Sequence, residues 1–274
     1  MKKLITRAIT GIVLVVVMLT SILVSEYSFA VLFLFILTTS IFEFNHLFKQ
    51  SEIKPNQTLS YITSAVLFVL SFLSAKGSIE HRYIWSILPF LLAVMASELY
   101  RKKTRPVENI AIAILSITYI ALPISLINFI VFPNFLKNST YSPQLLIAIF
   151  SLIWIYDSGA YLVGVSIGRH RLFERISPKK SWEGAIGGTI FAIVASYFIS
   201  GIIPEIKMVH WFAISVVLVI SATFGDLTES MFKRYFGIKD SSHILPGHGG
   251  MLDRFDSLFF VVPAIFAYIK VFIG

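Results

Sequence analysis

The stretch GDLTESMFKRYFGIKDSSHILPGHGGMLDRFD, residues 225–256, lies between two long apolar runs of the chain. It holds five of the fifteen carboxylates, two of the six histidines and four basic residues. Packing does not require so many polar side chains in a sequence that is 56% hydrophobic. We therefore predict that residues 225–256 form the functional site, between two membrane-spanning segments.

Composition indicates an all-α, polytopic integral membrane protein. The 274 residues have a mean hydropathy of +0.81 and only 14% are charged, whereas soluble domains carry about 25%. The absence of cysteine excludes disulfides, zinc thiolates and cysteine nucleophiles. A net charge of +8 could suggest nucleic acid. Its distribution favours membrane orientation and anionic phosphate ligands instead, so we predict no nucleic-acid partner.

About nine stretches are long and apolar enough to cross a bilayer, which takes roughly 20 residues per helix. The first follows MKKLITR and is longer than the apolar part of a usual signal peptide, which predicts an uncleaved span. About five spans occupy residues 1–140, and a catalytic membrane region occupies residues 141–274, with loops 168–183 and 226–256. The predicted spans are 8–25, 27–48, 58–75, 83–100, 108–132, 142–167, 184–203, 209–225 and 257–273.

The distribution of basic residues predicts the orientation. With a cytoplasmic N-terminus and an outside C-terminus, 18 of the 23 Lys and Arg residues fall in cytoplasmic segments. Both elaborate loops then face the cytoplasm. A compact chain without a cytosolic extension suggests a bacterial inner membrane.

Small residues recur every four positions in the sixth and seventh predicted spans and predict close helix packing in lipid. Asp157 interrupts the sixth span, and because a carboxylate there must face a partner or water, we expect a role in or behind the site. Glu43, His46 and Glu98 lie near span ends, where snorkelling to the interface is the favoured explanation. The small residues are Ala160, Gly164, Gly168, Gly184, Gly188, Ala192, Ser196 and Ser200.

The segment SPKKSWEG, Ser177 to Gly184, has the features of a helix start. Ser177 can cap a helix and Pro178 suits its first position, which would place Lys179 and Lys180 in the first turn. The helix dipole disfavours cations there unless an anion binds between them and the free N–H groups. A basic patch attracted to anionic lipid headgroups is an equally good explanation.

If the eighth span continues past Gly225 as a helix, Asp226, Glu229, Ser230 and Lys233 share one face. Phe236-Gly237 would end that helix. Residues 238–250 then contain too much Gly, Pro and Ser for a helix and predict a loop at the headgroup level.

Three carboxylates, Asp226, Asp253 and Asp256, are hard oxygen ligands at one predicted membrane face. Mg²⁺ (magnesium) commonly takes one or two carboxylates together with phosphate oxygens and water. Acids for a metal beside cations for phosphates are typical of phosphoryl-type transferases. The cations are Lys179, Lys180, Lys233, Arg234, Lys239 and Arg254.

The two histidines of the stretch fit no hydrolytic or zinc pattern. Residues 225–256 contain no G-x-S-x-G motif of a nucleophile elbow, and the spacing of His243 and His248 matches no zinc motif. We interpret His248 as a hydrogen-bonding or phosphate-contacting residue in a Gly-Gly turn. His243 receives no role.

Ser230 to Asp256 resembles the C-terminal motif of phosphatidate cytidylyltransferases (CDP-diacylglycerol synthases), of the form S-x-x-K-R-x4-K-D-x-x-x-x-x-P-G-H-G-G-x-x-D-R-x-D. Every fixed position is present. Ser177–Gly184 and Gly225–Ser230 also resemble elements of this family. The resemblance is strong over about residues 150–274, and the earlier spans match only in being hydrophobic.

The resemblance implies that CTP and phosphatidate, a membrane lipid, give CDP-diacylglycerol and pyrophosphate in phospholipid biosynthesis. It implies Mg²⁺ held by Asp226, Asp253 and Asp256, a monovalent ion such as K⁺ (potassium) beside it, and a homodimer. With these carboxylates, Lys239 is the fourth candidate catalytic residue. The candidate substrate-binding residues are Lys179, Lys180, Ser181, Glu229, Lys233, Arg234, Asp240, His248 and Arg254.

Two other functions are compatible with parts of the sequence. A CTP-dependent lipid kinase of the dolichol kinase kind would share the nucleotide site but release CDP. A transporter could line an ion pathway with Asp157, although the hydropathy has no inverted repeat and the charges gather at one face. A CDP-alcohol phosphotransferase is disfavoured because its D-G-x-x-A-R motif is absent.

Overall fold

The computed structural model describes residues 2–49, 51–133, 141–242 and 244–273, without the side chains of residues 2–5 and 7. The described chain is almost entirely helical. A 3-10 helix, His81–Ser86, precedes α4, and a π-helix, Ile117–Ala121, joins α5 to α6. The helices are α1 (Lys2–Val24), α2 (Glu26–Leu47), α3 (Gln57–Ala75), α4 (Ile87–Tyr100), α5 (Pro106–Ser116), α6 (Leu122–Val131), α7 (Gln144–Ile167), α8 (Trp182–Ile202), α9 (Met208–Tyr235), α10 (Leu252–Phe255) and α11 (Leu258–Phe272).

Among the described residues, eight helical segments are long and apolar enough to cross a membrane. A further apolar helix, Ala8–Val24, is shorter. The structure thus confirms a nearly all-helical chain with several helices able to cross a membrane, which supports a multi-pass membrane protein, whereas the ninth crossing and the orientation of the termini stay predictions. The all-α prediction needs one correction, because strands β1 (Arg171–Phe173) and β2 (Ser177–Ser181) pair antiparallel between α7 and α8.

The chain forms two compact units. Of the described residues, the first unit contains 2–49, 51–133, 141, 240–242 and 244–255, and the second contains 142–239 and 256–273. The motif of residues 225–256 is therefore divided between the units. The predicted functional division at residue 140 stays a prediction.

In the first unit, α2 supplies a large share of the apolar core. Phe29, Phe33, Leu37 and Ile41 on this helix are fully buried. Moving each such side chain from water into the core contributes about 1.5–3 kcal/mol to the stability of the fold. In a bilayer the alternative is lipid, and part of this contribution then comes from dispersion contacts between packed side chains. The core face continues to Glu43, near the end of the helix.

The snorkelling explanation is wrong for two of the three residues to which it was applied. Glu43 is 0% exposed and Glu98 is 6% exposed. Each acid finds donors inside the protein, which a buried carboxylate requires. Glu98 pairs with Arg101 and accepts a hydrogen bond from Asn109 Nδ2 at 3.2 Å. His46, by contrast, is exposed.

In the second unit, α7 and α8 approach closely through their small residues. A Cβ built on Gly184 would lie 2.7 Å from the carbonyl oxygen of Ala160, and one on Gly188 would lie 2.7 Å from that of Tyr156. A larger side chain at either position would push the helices apart. The predicted close packing is confirmed, and it fixes the hairpin of β1 and β2 against the start of α8.

Candidate active site

The segment that carries Lys179 and Lys180 is a β-strand, so the predicted helix start at Ser177 is wrong. Strand β2 pairs with β1 through Arg171 and Ser181 and through Phe173 and Ser177. Helix α8 begins only at Trp182, with Ser181 as its N-cap. Ser181 Oγ accepts a hydrogen bond from Gly184 N at 3.1 Å. Both lysines thereby stay outside the helix, whose N-terminal dipole disfavours cations.

Glu183, which the sequence interpretation did not single out, anchors the other side of the hairpin. Its carboxylate accepts hydrogen bonds from Arg169 N at 3.0 Å and from His170 N at 3.2 Å, and His170 Nδ1 lies 2.6 Å from it. The sequence signal that could have identified Glu183 is an acid two residues after a serine that can cap a helix.

A cavity of about 570 Å³ lies among α7, the hairpin and the start of α8. Its walls combine cationic, acidic and apolar groups. Asp157 lines it, which agrees with the predicted place of this residue in or behind the site. Arg171 also lines it and was missed, because nothing in its sequence context marks one loop arginine among several. The principal lining residues are Asp157, Tyr161, Val165, Arg171, Lys179, Lys180 and Ser181.

Lys180 connects this cavity to α9 by an ion pair with Asp226. Both side chains are only partly buried. Ser230, one turn further along α9, donates a hydrogen bond from Oγ to Asp226 Oδ1 at 3.2 Å. The predicted continuation of this helix past Gly225 and its shared polar face are confirmed.

Glu229 and Lys233 form a second pair on α9. Lys233 Nζ lies 2.5 Å from Glu229 Oε2, and both residues are buried. A buried carboxylate and a buried ammonium stabilise each other only when paired. The structure brings these two predicted substrate-binding residues together with each other, and their contact with substrate stays a prediction.

Asp256 approaches α9 at Gly225, next to Asp226. A Cβ built on Gly225 would lie 2.8 Å from the Asp256 carbonyl oxygen and 2.9 Å from Ser257 Cα. The Asp256 carboxylate accepts a hydrogen bond from Ser257 N at 2.6 Å. It interacts electrostatically with Asp226, Asp157 and Lys233. Two of the three predicted metal-site acids are therefore neighbours in the second unit.

We predict that Gly225→Ala destabilises this arrangement. Its methyl group would overlap the 256–257 backbone, and overpacking of this kind costs about 1–3 kcal/mol. Thermal unfolding should shift to lower temperature, with roughly tenfold lower activity from displacement of Asp256. Gly201→Ala is the matched control, since a Cβ there meets nothing within 4 Å. Equal behaviour of the two variants would contradict the prediction.

The donor set of Asp226 and Asp256 fits a Mg²⁺ site that phosphate oxygens and water complete. In the described part of the chain, no group of three or more His, Asp or Glu side chains is arranged to hold a metal ion. A pair of protein carboxylates is nevertheless the usual number for magnesium bound with phosphates. That Asp226, Asp253 and Asp256 hold Mg²⁺ stays a prediction.

Helix α9 ends as predicted. Gly237 has φ of 67°, and Ile238 N donates to Lys233 O at 3.0 Å. Arg234 Nη1 donates to Ile238 O at 2.7 Å, so this exposed arginine braces the turn. Lys239 and Asp240, the next two residues, are exposed.

Asp253 belongs to the first unit, where its carboxylate organises the described residues of 238–252, here called the motif loop. It accepts hydrogen bonds from Ser241 N at 3.0 Å and from Gly250 N at 2.7 Å. Ser241 Oγ lies 3.1 Å from it and has one proton to donate, either to Asp253 or to Glu43. Gly249 has φ of 84°, a conformation that glycine adopts without strain. The described residues of 238–250 are non-helical, as predicted.

The remaining residues of the 225–256 stretch that the sequence analysis considered are His248, Arg254 and His243. His248 N donates to Leu245 O at 2.9 Å, and a Cβ built on Gly11 would lie 3.2 Å from His248 Nε2. This imidazole therefore packs against α1. Arg254 is exposed. His243 lies outside the described residues.

Glu43, for which the sequence analysis favoured snorkelling, is bonded instead to the motif loop. Its carboxylate accepts four hydrogen bonds from residues of the motif loop, 241, 242, 251 and 252. The signal was present in the sequence, because an acid inside an apolar span is a functional candidate by default.

The chain matches the family model described as "Cytidylyltransferase family" over residues 5–272. The chain belongs to this family. It is therefore a nucleotidyltransferase, and the family predicted from the motif is confirmed.

Curated relatives agree with this assignment. A protein of Staphylococcus aureus (strain COL) named phosphatidate cytidylyltransferase is 30% identical over 266 residues, which cover 94% of this chain and 96% of the relative. A protein of the same name from Haemophilus influenzae is 43% identical over 147 residues, about half of each chain. A third, from Staphylococcus epidermidis, is 29% identical over 262 residues.

Proposed function

We propose that this chain is a phosphatidate cytidylyltransferase, which converts CTP and phosphatidate into CDP-diacylglycerol and pyrophosphate in phospholipid biosynthesis. The observation that carries the proposal is the position of Lys180. This lysine lines a cavity with both cationic and apolar walls, and it pairs with Asp226 beside Asp256. Groups for binding phosphate, for accommodating an amphipathic molecule and for holding a metal thus meet in the second unit.

The reaction needs charge neutralisation more than a strong base. Phosphatidate is a phosphate monoester, and comparable phosphates have a second pKa near 6, so the nucleophilic oxygen is largely ionised at neutral pH. It attacks the α-phosphorus of CTP, a new P–O bond forms, and the bond to the β-phosphate breaks to release pyrophosphate. The obstacle is bringing two polyanions together, which cations and preorganised dipoles overcome.

We assign the phosphate-binding role to the cations around the cavity. Lys179, Lys180 and Arg171 line it and would hold the phosphates of the bound substrates. Lys239 and Arg254 are exposed, as is Arg234, which also braces the turn after α9, and all three stay candidates for the other phosphate contacts. Lys233 would contribute to substrate binding as an ion pair with Glu229. Ser181 would contribute by capping α8, which fixes the start of that helix beside the cavity. Asp240 and His248 would shape the loop that follows α9.

The same proposal includes a Mg²⁺ ion held by Asp226 and Asp256, with Asp253 as the third carboxylate that the family resemblance implies. When bound, the ion would polarise the phosphoryl oxygens and stabilise the departing pyrophosphate. Ser230 and Lys180 orient the Asp226 carboxylate through their contacts with it. A K⁺-type ion and a homodimer are further expectations of the resemblance.

We also propose that the site faces the cytoplasm of a bacterial inner membrane. One substrate is anchored in lipid and the other is dissolved in cytosol, so an interface-level site suits both. The asymmetric distribution of Lys and Arg supports this orientation.

The test is an assay in detergent micelles with α-labelled CTP, phosphatidate and Mg²⁺, with a control that lacks phosphatidate. We expect label in the lipid fraction and release of pyrophosphate. Label that remains in water-soluble CDP, with phosphorylated lipid, would establish a kinase instead. Folded protein that does not consume CTP would favour the transporter interpretation.

A further inference from the structure

A single carboxylate of α2 binds both limbs of the motif loop by hydrogen bonds, the first limb being residues 241–242 and the second residues 251–252. Glu43 Oε1 accepts from Ser242 Oγ at 2.6 Å and from Met251 N at 2.9 Å. Glu43 Oε2 accepts from Ser241 Oγ at 3.1 Å and from Leu252 N at 2.7 Å. Each oxygen thus takes one bond from the beginning of the loop and one from its end.

The loop is packed around this carboxylate with no spare room. A Cβ built on Gly250 would collide with both Ser241 Oγ and Glu43 Oε2. The side chain of Glu43 is fully buried, and Ser241 is 5% exposed. Only a glycine at position 250 lets the backbone come close enough for the neighbouring amides to reach Glu43.

The same contacts continue to Asp253, the predicted metal-site acid of this unit. Ser241 Oγ lies 3.1 Å from Glu43 Oε2 and 3.1 Å from Asp253 Oδ2. Gly250 N and Ser241 N donate to Asp253 as well. The orientation of Asp253 therefore depends on a loop whose two limbs Glu43 holds together.

We propose that Glu43 is a positioning residue for the cytidylyltransferase reaction, which acts by fixing residues 241, 242, 251 and 252 of the motif loop and, through Ser241, the Asp253 carboxylate. The inference rests on the proposed function for its catalytic consequence. Its structural part stands on the hydrogen bonds alone. The residue lies in the second predicted span, far along the chain from the motif that it supports.

The chemistry of the four donors requires a carboxylate. An ionised carboxylate has about four lone-pair sites and accepts only, so two amides and two hydroxyls saturate it. A glutamine of the same shape offers one accepting oxygen and turns its NH₂ group toward N–H and O–H donors. The backbone N–H that faces the NH₂ group then has no acceptor, whereas the serine hydroxyl can reverse and accept from it, and a buried donor without an acceptor is costly. The loop is expected to open locally to regain water.

The experiment compares Glu43→Gln with Glu98→Gln in the full-length protein. Glu98 is the matched control, since it is a buried acid of the same unit that bonds to Arg101 and Asn109. We expect Glu43→Gln to accelerate amide hydrogen exchange in peptides covering 244–256 and to lower kcat by about 10- to 100-fold, the range found for partners that orient catalytic ligands. Glu98→Gln should leave exchange in these peptides and kcat close to those of the wild type.

Two more variants keep the proposal falsifiable if Glu43→Gln does not fold. Ser242→Ala removes one donor to Glu43 and should accelerate exchange in the same peptides, with a smaller loss of kcat. Glu43→Asp keeps both acceptor oxygens and should recover part of the activity that Glu43→Gln loses. Wild-type exchange of the loop in Glu43→Gln and Ser242→Ala would overturn the proposal, as would equal losses in Glu43→Gln and Glu98→Gln. A changed exchange rate in protein that never forms CDP-diacylglycerol would instead refute the proposed function.

Discussion

Asp226→Asn should lower the rate of CDP-diacylglycerol formation by about 10³-fold. A metal ion and its ligands are worth several kcal/mol of transition-state stabilisation, and each factor of ten in rate corresponds to about 1.4 kcal/mol. The amide removes the negative charge that pairs with Lys180 and that would hold Mg²⁺ together with Asp256. The decisive measurement is kcat as a function of Mg²⁺ concentration, where the variant should require much more metal for half-maximal rate.

The control for this variant is Glu205→Gln, which neutralises an exposed acid of the same unit. It should match the wild type in both kcat and metal requirement. A wild-type rate and an unchanged Mg²⁺ dependence of Asp226→Asn would show that Asp226 is not a metal ligand. Its role would then be limited to the ion pair with Lys180.

Lys180→Ala should reduce kcat/KM by about 10²-fold, because it removes a phosphate-binding charge and leaves Asp226 without its partner. Losing one preorganised electrostatic contact to a developing anion typically costs about 10²–10³ in rate. Lys179→Ala should have a smaller effect, since Lys179 is exposed and has no ion pair to a carboxylate among the described residues. Steady-state kinetics with CTP and phosphatidate varied separately would distinguish the two lysines.

Lys207→Ala provides the comparison, since this exposed lysine precedes α9 and lies outside the cavity. It should retain full activity. A Lys180→Ala variant as active as Lys207→Ala would remove the hairpin from the substrate site. Lys180→Arg is a useful intermediate, because a guanidinium keeps the charge but presents it as a planar fork in place of a compact ammonium.

The polar face of α9 was predictable because the helical period places Asp226, Glu229, Ser230 and Lys233 on one side of the helix. The close approach of α7 and α8 was likewise predictable, since glycines spaced four apart have few other uses in lipid. These features depend on local spacing, which the sequence displays directly. The same holds for the end of α9 at Gly237.

Two features required the three-dimensional structure. Ser177 and Pro178 suit a helix start as well as a strand, and the pairing of β1 with β2 decided between them. Glu43 carries no mark that separates it from Glu98, because its partners lie about 200 residues later in the chain. Contacts over such a separation depend on the tertiary fold, which local propensity does not encode.

The separation along the sequence between Glu43 and its donors also determines how long after its own synthesis this residue can form these hydrogen bonds. Met251 follows Glu43 by 208 residues and Leu252 by 209. At a synthesis rate of about 5–20 residues per second, roughly 10 to 40 s pass before the first backbone donor exists. During that time α2 carries a carboxylate near the end of an apolar segment with none of its final partners. Until then another donor, such as water at the membrane surface, has to satisfy this carboxylate, and its bonds to the motif loop form only after residues 241–252 have been synthesised.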